Sequence, residues 1–141
     1  MNELDVLKKH HEEFRGLIAQ IRLLLEDESI GEVAQEVMDL ISHLNAQLMV
    51  HLTMEDRHVY PLLMDCENDR VRELAEEFKS EVGHLFGEFQ KYRLKWTCAA
   101  QVIVDPDGFL ADTETIFAVI NKRMVLEDDS LYLEAASLST C

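Results

Sequence analysis

The stretch VAQEVMDLISHLNAQLMVHLTMEDRHVYPL, residues 33–62, decides the fold of this chain. Its apolar residues recur three or four positions apart, which predicts one long amphipathic helix, helix B, with a single buried stripe. Halfway along, His51 and Glu55 take the places of apolar residues, so the stripe turns polar. Pro61 should kink or end the helix, because proline lacks the amide hydrogen that a helix needs. The predicted stripe is Val33, Val37, Leu40, Leu44, Leu48, His51, Glu55, Val59 and Leu62.

The same spacing predicts three further helices. Helix A should begin at an Asn2 cap, helix B at a capping box from Ser29 to Glu32, and helix D after a turn from Asp105 to Gly108. Four amphipathic helices with mostly short connections predict an all-α, antiparallel up-down four-helix bundle. We expect one domain over residues 1–135 and a short tail over residues 136–141. The remaining stripes are Leu7, Phe14, Ile18, Ile21 and Leu25 in helix A; Leu74, Phe78, Val82, Leu85, Phe89, Tyr92 and Trp96 in helix C; and Ile116, Ile120, Met124, Glu127 and Leu131 in helix D.

Charge and cysteine content limit the function classes. The formal net charge of −15 repels nucleic acid, which leaves a cation or a basic protein as the expected partner. The three cysteines, Cys66, Cys98 and Cys141, are odd in number and show no CxxC spacing. That argues against a disulfide framework or a zinc ribbon and favours a reducing cytoplasm. Because no secretory signal or membrane-spanning stretch is visible in the sequence, we expect a cytoplasmic protein.

Polar residues lie on or near the buried stripes of three helices. His11 falls between the apolar residues of helix A, His51 and Glu55 share one face of helix B, and Glu127 continues the stripe of helix D. Two imidazoles and at least two carboxylates would then meet in the interior, as in bundles that hold di-iron or di-manganese centres. Ligands of this kind without sulfur suit iron or manganese, and zinc also accepts them. The plainer interpretation is a set of buried side chains that hydrogen-bond one another.

Three segments resemble motifs of the hemerythrin-like family, also described as the HHE cation-binding domain. They are HHEEFR at residues 10–15, HLTMEDRHVYP at residues 51–61 and RMVLED at residues 123–128. The resemblance covers nearly the whole chain and implies a four-helix bundle around two irons bridged by oxygen and carboxylates. It further implies that His51 is a terminal ligand, that Glu55 is a bridging ligand and that His11 is the contribution of helix A. Members of this family bind oxygen, sense oxygen or redox state, or handle nitric oxide and iron–sulfur damage.

The sequence departs from the family pattern in helices C and D. Helix D has Arg123 where family members usually have a ligand histidine, and arginine has no lone pair for a metal. Helix C lacks the usual histidine pair, so it could supply Glu81, His84 or neither. The acid of helix D is Glu127 or Asp128, because family members differ in this spacing.

Three interpretations of the site therefore stay open. A carboxylate-rich two-metal centre would use His11, His51, Glu55, Glu81 and Glu127. A single metal would lie near His11, His51 and Glu55. Alternatively, the site holds no metal, and Arg123 pairs with the carboxylates in the place of a second cation, as its planar fork allows.

The first functional expectation is a metal-binding protein that senses oxygen, redox state or nitric oxide, or that handles iron. Its cofactor would be non-haem iron, with zinc, manganese or no metal as alternatives. Enzyme activity is not the first expectation, because no nucleophile–base pair or phosphate loop is visible. The alternative is a metal-free regulatory module with a basic protein partner, since residues 122–128 also resemble the end of the bundle in the regulator-of-sigma-70 family of anti-sigma proteins. The oligomeric state, including a homodimer, stays open.

Overall fold

A computed structural model describes residues 2–137 of the chain, which form helices and no strand in that range. The four long helices α1, α2, α4 and α6 correspond to the predicted helices A to D. The predicted all-α four-helix bundle is therefore confirmed. The elements are α1 (Glu3–Asp27), α2 (Ile30–His58), α3 (Tyr60–Met64), α4 (Asp69–Lys95), α5 (Ala99–Val104), α6 (Pro106–Leu126), a π-helical turn (Glu127–Leu131) and α7 (Tyr132–Ala136).

The ends of the first two long helices follow from local chemistry. The backbone N–H of Asp5 donates to Asn2 Oδ1 at 2.9 Å, which confirms the predicted cap of α1. Ser29 does precede α2, but its side chain makes no capping hydrogen bond, so the predicted capping box is wrong. The predicted break at Pro61 is confirmed, because α2 ends at His58 and Pro61 lies in the first turn of α3.

The connection between α4 and α6 differs from the prediction. The expected turn at Asp105 to Gly108 is the first turn of α6, with Pro106 as its first residue. Asp105 caps this helix, since the Gly108 N–H donates to its Oδ1 at 3.1 Å. The short helix α5, which the sequence did not predict, fills the connection and buries Val102 in the core.

The core consists of two apolar clusters stacked along the bundle. The larger cluster includes Phe14, Leu48, Leu85 and Met124, and the smaller one includes Leu7, Val59, Phe78 and Leu131. Helices α1 and α4 contribute to both clusters, whereas Val59 and Leu131 follow the ends of α2 and α6. A buried polar residue lies between the two contributions on α1, on α2 before Val59, and between α6 and Leu131. The clusters thus enclose a polar layer at one level of the bundle.

Most stripe residues are buried or half-buried as predicted, but the prediction fails after the break in helix B. Leu62 is 56% exposed, whereas Leu63 is fully buried. The new helix α3 starts at Tyr60, so the phase of the stripe shifts by one residue. Of the predicted tail, residues 138–141 lie outside the described range, and the division into a domain and a tail stays a prediction.

Two of the three cysteines lie in the described part of the chain and differ in state. Cys98 is an exposed free thiol, whereas Cys66 is buried and disulfide-bonded. The odd number of cysteines argued against a disulfide framework, so the sequence did not predict this bond. The cytoplasmic location stays a prediction. Cys141 lies outside the described residues. Within residues 2–137, no helix is sufficiently long and apolar to cross a bilayer.

Candidate metal centre

The polar layer brings together side chains from α1, α2 and the π-helical turn. His11 and His51 are each 1% exposed, Glu55 is fully buried and Glu127 is 2% exposed. Each of them takes a position on its helix that the apolar spacing assigns to the interior. The sequence therefore predicted the burial of all four residues correctly. Burying them is costly unless they pair with one another or with a cation.

Four atoms lie at the centre of this layer. Glu127 Oε1 lies 2.8 Å from His11 Nε2 and 3.2 Å from His51 Nε2, and the two histidine Nε2 atoms are 3.3 Å apart. The fourth atom is the hydroxyl oxygen of Tyr132, which lies 3.0 Å from Glu127 Oε1, 3.3 Å from His11 Nε2 and 3.2 Å from His51 Nε2. We call these four atoms the inner group.

Sequence analysis missed Tyr132, because its position depends on the π-helical turn. An α-helix places residues three or four apart on one face, whereas a π-helical turn aligns residues five apart. The backbone N–H of Tyr132 donates to the carbonyl of Glu127, five residues earlier. Nothing in the three-or-four spacing of helix D signals that alignment.

The outer nitrogens of both histidines also have partners. His11 Nδ1 lies 3.0 Å from Asp128 Oδ1, and Arg15 holds the other oxygen of that carboxylate at 3.1 Å. His51 Nδ1 lies 3.1 Å from Nδ1 of His10, a separation at which one ring donates to the other. Such outer contacts orient the Nε2 atoms of histidine ligands toward a metal.

Both candidate acids of helix D contact His11. Glu127 belongs to the inner group, and its neighbour Asp128 contacts the outer nitrogen of His11. The structure places Glu127 in the inner group and Asp128 outside it, and which of the two binds a metal stays a prediction.

Glu55 borders the inner group without joining it. Tyr132 donates its hydroxyl hydrogen to Glu55 Oε2 at 2.8 Å, and the same oxygen lies 3.5 Å from His51 Nε2. Glu55 Oε1 is buried and has no hydrogen-bond partner among the described residues. Unpaired buried polar atoms are rare in proteins, and each calls for an explanation such as an ion or water.

Arg123 lies on the far side of Glu127 from the inner group. Its Nε donates to Glu127 Oε2 at 2.8 Å, and its Nη2 donates to the Tyr60 hydroxyl at 2.8 Å. The guanidinium carbon lies 4.6 Å from the centroid of the Phe78 ring, within the range of a cation–π contact. Arg123 is 7% exposed, so the pair with Glu127 is a buried ion pair.

These contacts shift the pKa values of the buried groups in opposite directions. Burial alone would raise the pKa of Glu127, but hydrogen bonds from His11 and His51 and the charge of Arg123 hold it well below its usual value. Burial and the nearby Glu127 raise the pKa of Glu55. Burial opposes the charged form of His51, but hydrogen bonds to Glu127 and Glu55 outweigh that effect and raise its pKa to about 9. The layer therefore favours negative charge on Glu127.

The two candidate ligands of helix C do not join the inner group. Glu81 is exposed, and its Oε2 lies 3.7 Å from Nη1 of Arg123. His84 is exposed on the same helix. Both line the surface beside Arg123, and neither belongs to the group formed by His11, His51 and Glu127. Their role as metal ligands stays a prediction.

The donor set of the inner layer fits a single metal ion. Ligand atoms of His11, His51 and Glu127 all lie within 4.8 Å of one another, and in residues 2–137 they are the one such group of histidine, cysteine and acidic side chains. Two imidazole nitrogens and a carboxylate oxygen suit iron, manganese or zinc. The side of Glu127 where a second ion would share this carboxylate is taken by Arg123.

The comparison with known proteins agrees with this geometry. The family model described as "Hemerythrin HHE cation binding domain" matches residues 2–135. No curated protein and no solved structure gives a match to the chain. A family match over nearly the whole chain, together with a buried histidine–glutamate group, indicates metal binding. The chain belongs to the hemerythrin HHE cation-binding domain family.

Proposed function

We propose that this chain is a metal-binding domain with a sensing or iron-handling role, and that it holds one non-haem metal ion between His11, His51 and Glu127. The observation that carries the proposal is the convergence of their ligand atoms within 4.8 Å inside the bundle. The outer contacts of both histidines support it, because they aim the Nε2 atoms at one point. A bound iron would supply a redox-active centre in the core.

The burial of the centre favours sensing or iron handling over reversible carriage of a small molecule. Metal sites that react with substrates keep an open position, whereas structural sites are closed by protein ligands. The imidazoles are 1% exposed and lie between two apolar clusters. Metal binding at such a place adds its free energy to the stability of the bundle. A change in the occupancy or the oxidation state of the metal would then change the stability of the bundle.

A metal-free regulatory module is the second candidate, and the ion pair of Arg123 with Glu127 favours it. That pair already neutralises the buried carboxylate without any metal. The net charge of −15 suits a basic protein partner. In this case the polar layer would hold the helices in register, and the acidic surface would carry the function.

Metal content separates the two candidates. Protein purified without a metal-affinity tag is analysed for metal per chain, before and after anaerobic loading with Fe(II). We expect about one ion per chain in the wild type, loss of that ion in His51→Ala, and retention in His43→Ala, an exposed histidine of the same helix. A wild type that retains no metal after loading would contradict the proposal and leave the metal-free module.

A further inference from the structure

We propose that Tyr132 is the fourth ligand of this centre, which makes it a mononuclear site with a phenolate donor. The inference rests on the proposed metal-binding function and specifies its ligand set. It departs from the two-iron arrangement that the resemblance implied, because it replaces the second metal by a guanidinium and gives Glu55 a different role.

The four atoms of the inner group are almost equally spaced. Its six interatomic distances all fall between 2.8 and 3.3 Å. Four points so related form a nearly regular tetrahedron. The centre of a tetrahedron with edges of about 3.1 Å lies about 1.9 Å from each corner, close to the ~2.0 Å of zinc–nitrogen bonds. The four atoms are therefore spaced as the ligands of one tetrahedral ion.

The Tyr132 hydroxyl has more polar neighbours than it can hydrogen-bond. Four polar atoms lie within 3.3 Å of it: two imidazole nitrogens and one oxygen each from Glu55 and Glu127. A hydroxyl makes at most three hydrogen bonds, one as donor and two as acceptor, so four neighbours exceed its capacity. Tyr132 is fully buried, and no solvent relieves this crowding. A cation at the centre of the inner group would satisfy the nitrogen and oxygen lone pairs together.

The Tyr132 hydroxyl has a proton acceptor beside it. Tyr132 already donates to Glu55 Oε2 at 2.8 Å. If the inner group held a metal, the phenol O–H bond would break and Glu55 Oε2 would take the proton, which keeps atoms and charge in balance. Glu55 would then hold the phenolate in position rather than bridge two metals.

Arg123 limits the centre to one ion. Glu127 presents Oε1 to the inner group and Oε2 to the guanidinium, so its carboxylate joins one metal to a fixed positive charge. Two anionic oxygen donors favour the more highly charged ion, because the attraction grows with the charge. We therefore expect bound iron to be stable in the ferric form.

The test is visible spectroscopy of iron-loaded protein. Wild type, Tyr132→Phe and Tyr92→Phe are loaded with Fe(II) without oxygen and then exposed to air. Tyr92 is a matched control, because it is also buried but bonds Thr113 in the larger apolar cluster. We expect one iron per chain and a phenolate-to-iron charge-transfer band in the wild type and Tyr92→Phe, and no such band in Tyr132→Phe. The Zn(II) affinity of Tyr132→Phe should fall at least about tenfold, since even outer partners of a metal site contribute that much.

The outcomes distinguish this inference from the proposed function. A band that persists in Tyr132→Phe would overturn the phenolate ligand, and two irons per wild-type chain would overturn the single-ion centre, while metal binding stands in both cases. Failure of the wild type to bind any metal would overturn both. If Tyr132→Phe does not fold, resonance Raman spectra of iron-loaded wild type, with and without ring-deuterated tyrosine, decide the matter. Isotope-sensitive phenolate modes support the inference, and their absence overturns it.

Discussion

The Tyr132 hydroxyl lies 3.0 Å from Glu127 Oε1, although the two residues are five positions apart on one continuous helical segment. The π-helical turn between them produces this contact, because it adds one residue to the turn and rotates Tyr132 onto the face of Glu127. Leu131, which would align with Glu127 in an ordinary α-helix, packs instead in the smaller apolar cluster. π-helical turns are frequent at functional sites.

The contact between Asp128 and the outer nitrogen of His11 leads to a prediction about metal affinity. Asp128→Ala removes the acceptor at 3.0 Å from His11 Nδ1, which leaves the ring free to turn. We expect the affinity for Zn(II) to fall by about 10- to 100-fold, as for other outer partners of histidine ligands. Competition with a chromophoric chelator measures the change.

Asp129→Ala provides the control for that experiment. Asp129 is adjacent and exposed, so its removal changes the net charge by the same amount without touching the histidine. Equal affinity losses in the two variants would attribute the effect to general electrostatics and contradict the role of Asp128.

The packing of the larger apolar cluster gives a prediction about stability. Leu44→Ala removes a fully buried side chain of α2 and leaves a cavity. We expect the free energy of unfolding to fall by about 2–5 kcal/mol. Leu94→Ala is the control, because Leu94 is 76% exposed on α4 and its loss should cost less than about 0.5 kcal/mol. Urea unfolding followed by circular dichroism measures both values, and similar midpoints for the two variants would refute the assigned core.

The fold could be predicted from the sequence because apolar spacing alone determines which face of each helix is buried. The four long helices and the interruption at Pro61 follow from that spacing and from the chemistry of proline. The spacing did not predict that Leu63 is buried in place of Leu62. After a helix break, the residues that face the core depend on the direction in which the next helix starts. The short helix α5 was missed for a related reason, because six residues give too little periodicity.

The site could be predicted only in part. His11, His51, Glu55 and Glu127 interrupt apolar stripes, and a polar residue on such a stripe is visible in the sequence. Tyr132 was invisible, because a π-helical turn changes the spacing of the contact from four residues to five. The position of Arg123 beside Glu127 agrees with the interpretation that it takes the place of a second cation.

The ion pair between Lys95 and Asp112 predicts a pH-dependent contribution to stability. Lys95 Nζ lies 2.7 Å from Asp112 Oδ2, and Trp96 donates its indole N–H to the same oxygen at 3.0 Å. These two partners hold the pKa of Asp112 below its usual value. The ionised form is therefore the stabilising one, so its contribution is complete above the unfolded-state pKa of about 3.9 and is lost as the pH falls through the lower folded value.

Asp112→Asn should thus be less stable than the wild type at pH 7, and the difference should begin to shrink only as the pH falls below about 4, toward the lower folded pKa of Asp112. The difference should stay under about 1 kcal/mol, since Lys95 is 63% and Asp112 37% exposed and salt screens the pair. Urea midpoints from pH 7 to pH 3 measure it. In a Lys95→Met background the effect should shrink. A difference that is constant across this pH range would show that the charge of Asp112 is irrelevant.

The buried pair of Arg123 and Glu127 predicts a large loss of stability when the arginine becomes neutral. Arg123→Met keeps much of the side-chain volume but removes the guanidinium at Glu127 Oε2, which leaves the carboxylate with the histidines alone. We expect the metal-free variant to lose about 3–5 kcal/mol of unfolding free energy. Arg22→Met, which breaks an exposed pair with Glu114, should lose less than about 1 kcal/mol. Saturating Zn(II) should restore more stability to Arg123→Met than it adds to the wild type, because the metal then supplies the only positive charge at Glu127. Thermal unfolding with and without Zn(II) tests this, and equal stabilisation of the two proteins would mean that the metal and the arginine do not share that carboxylate.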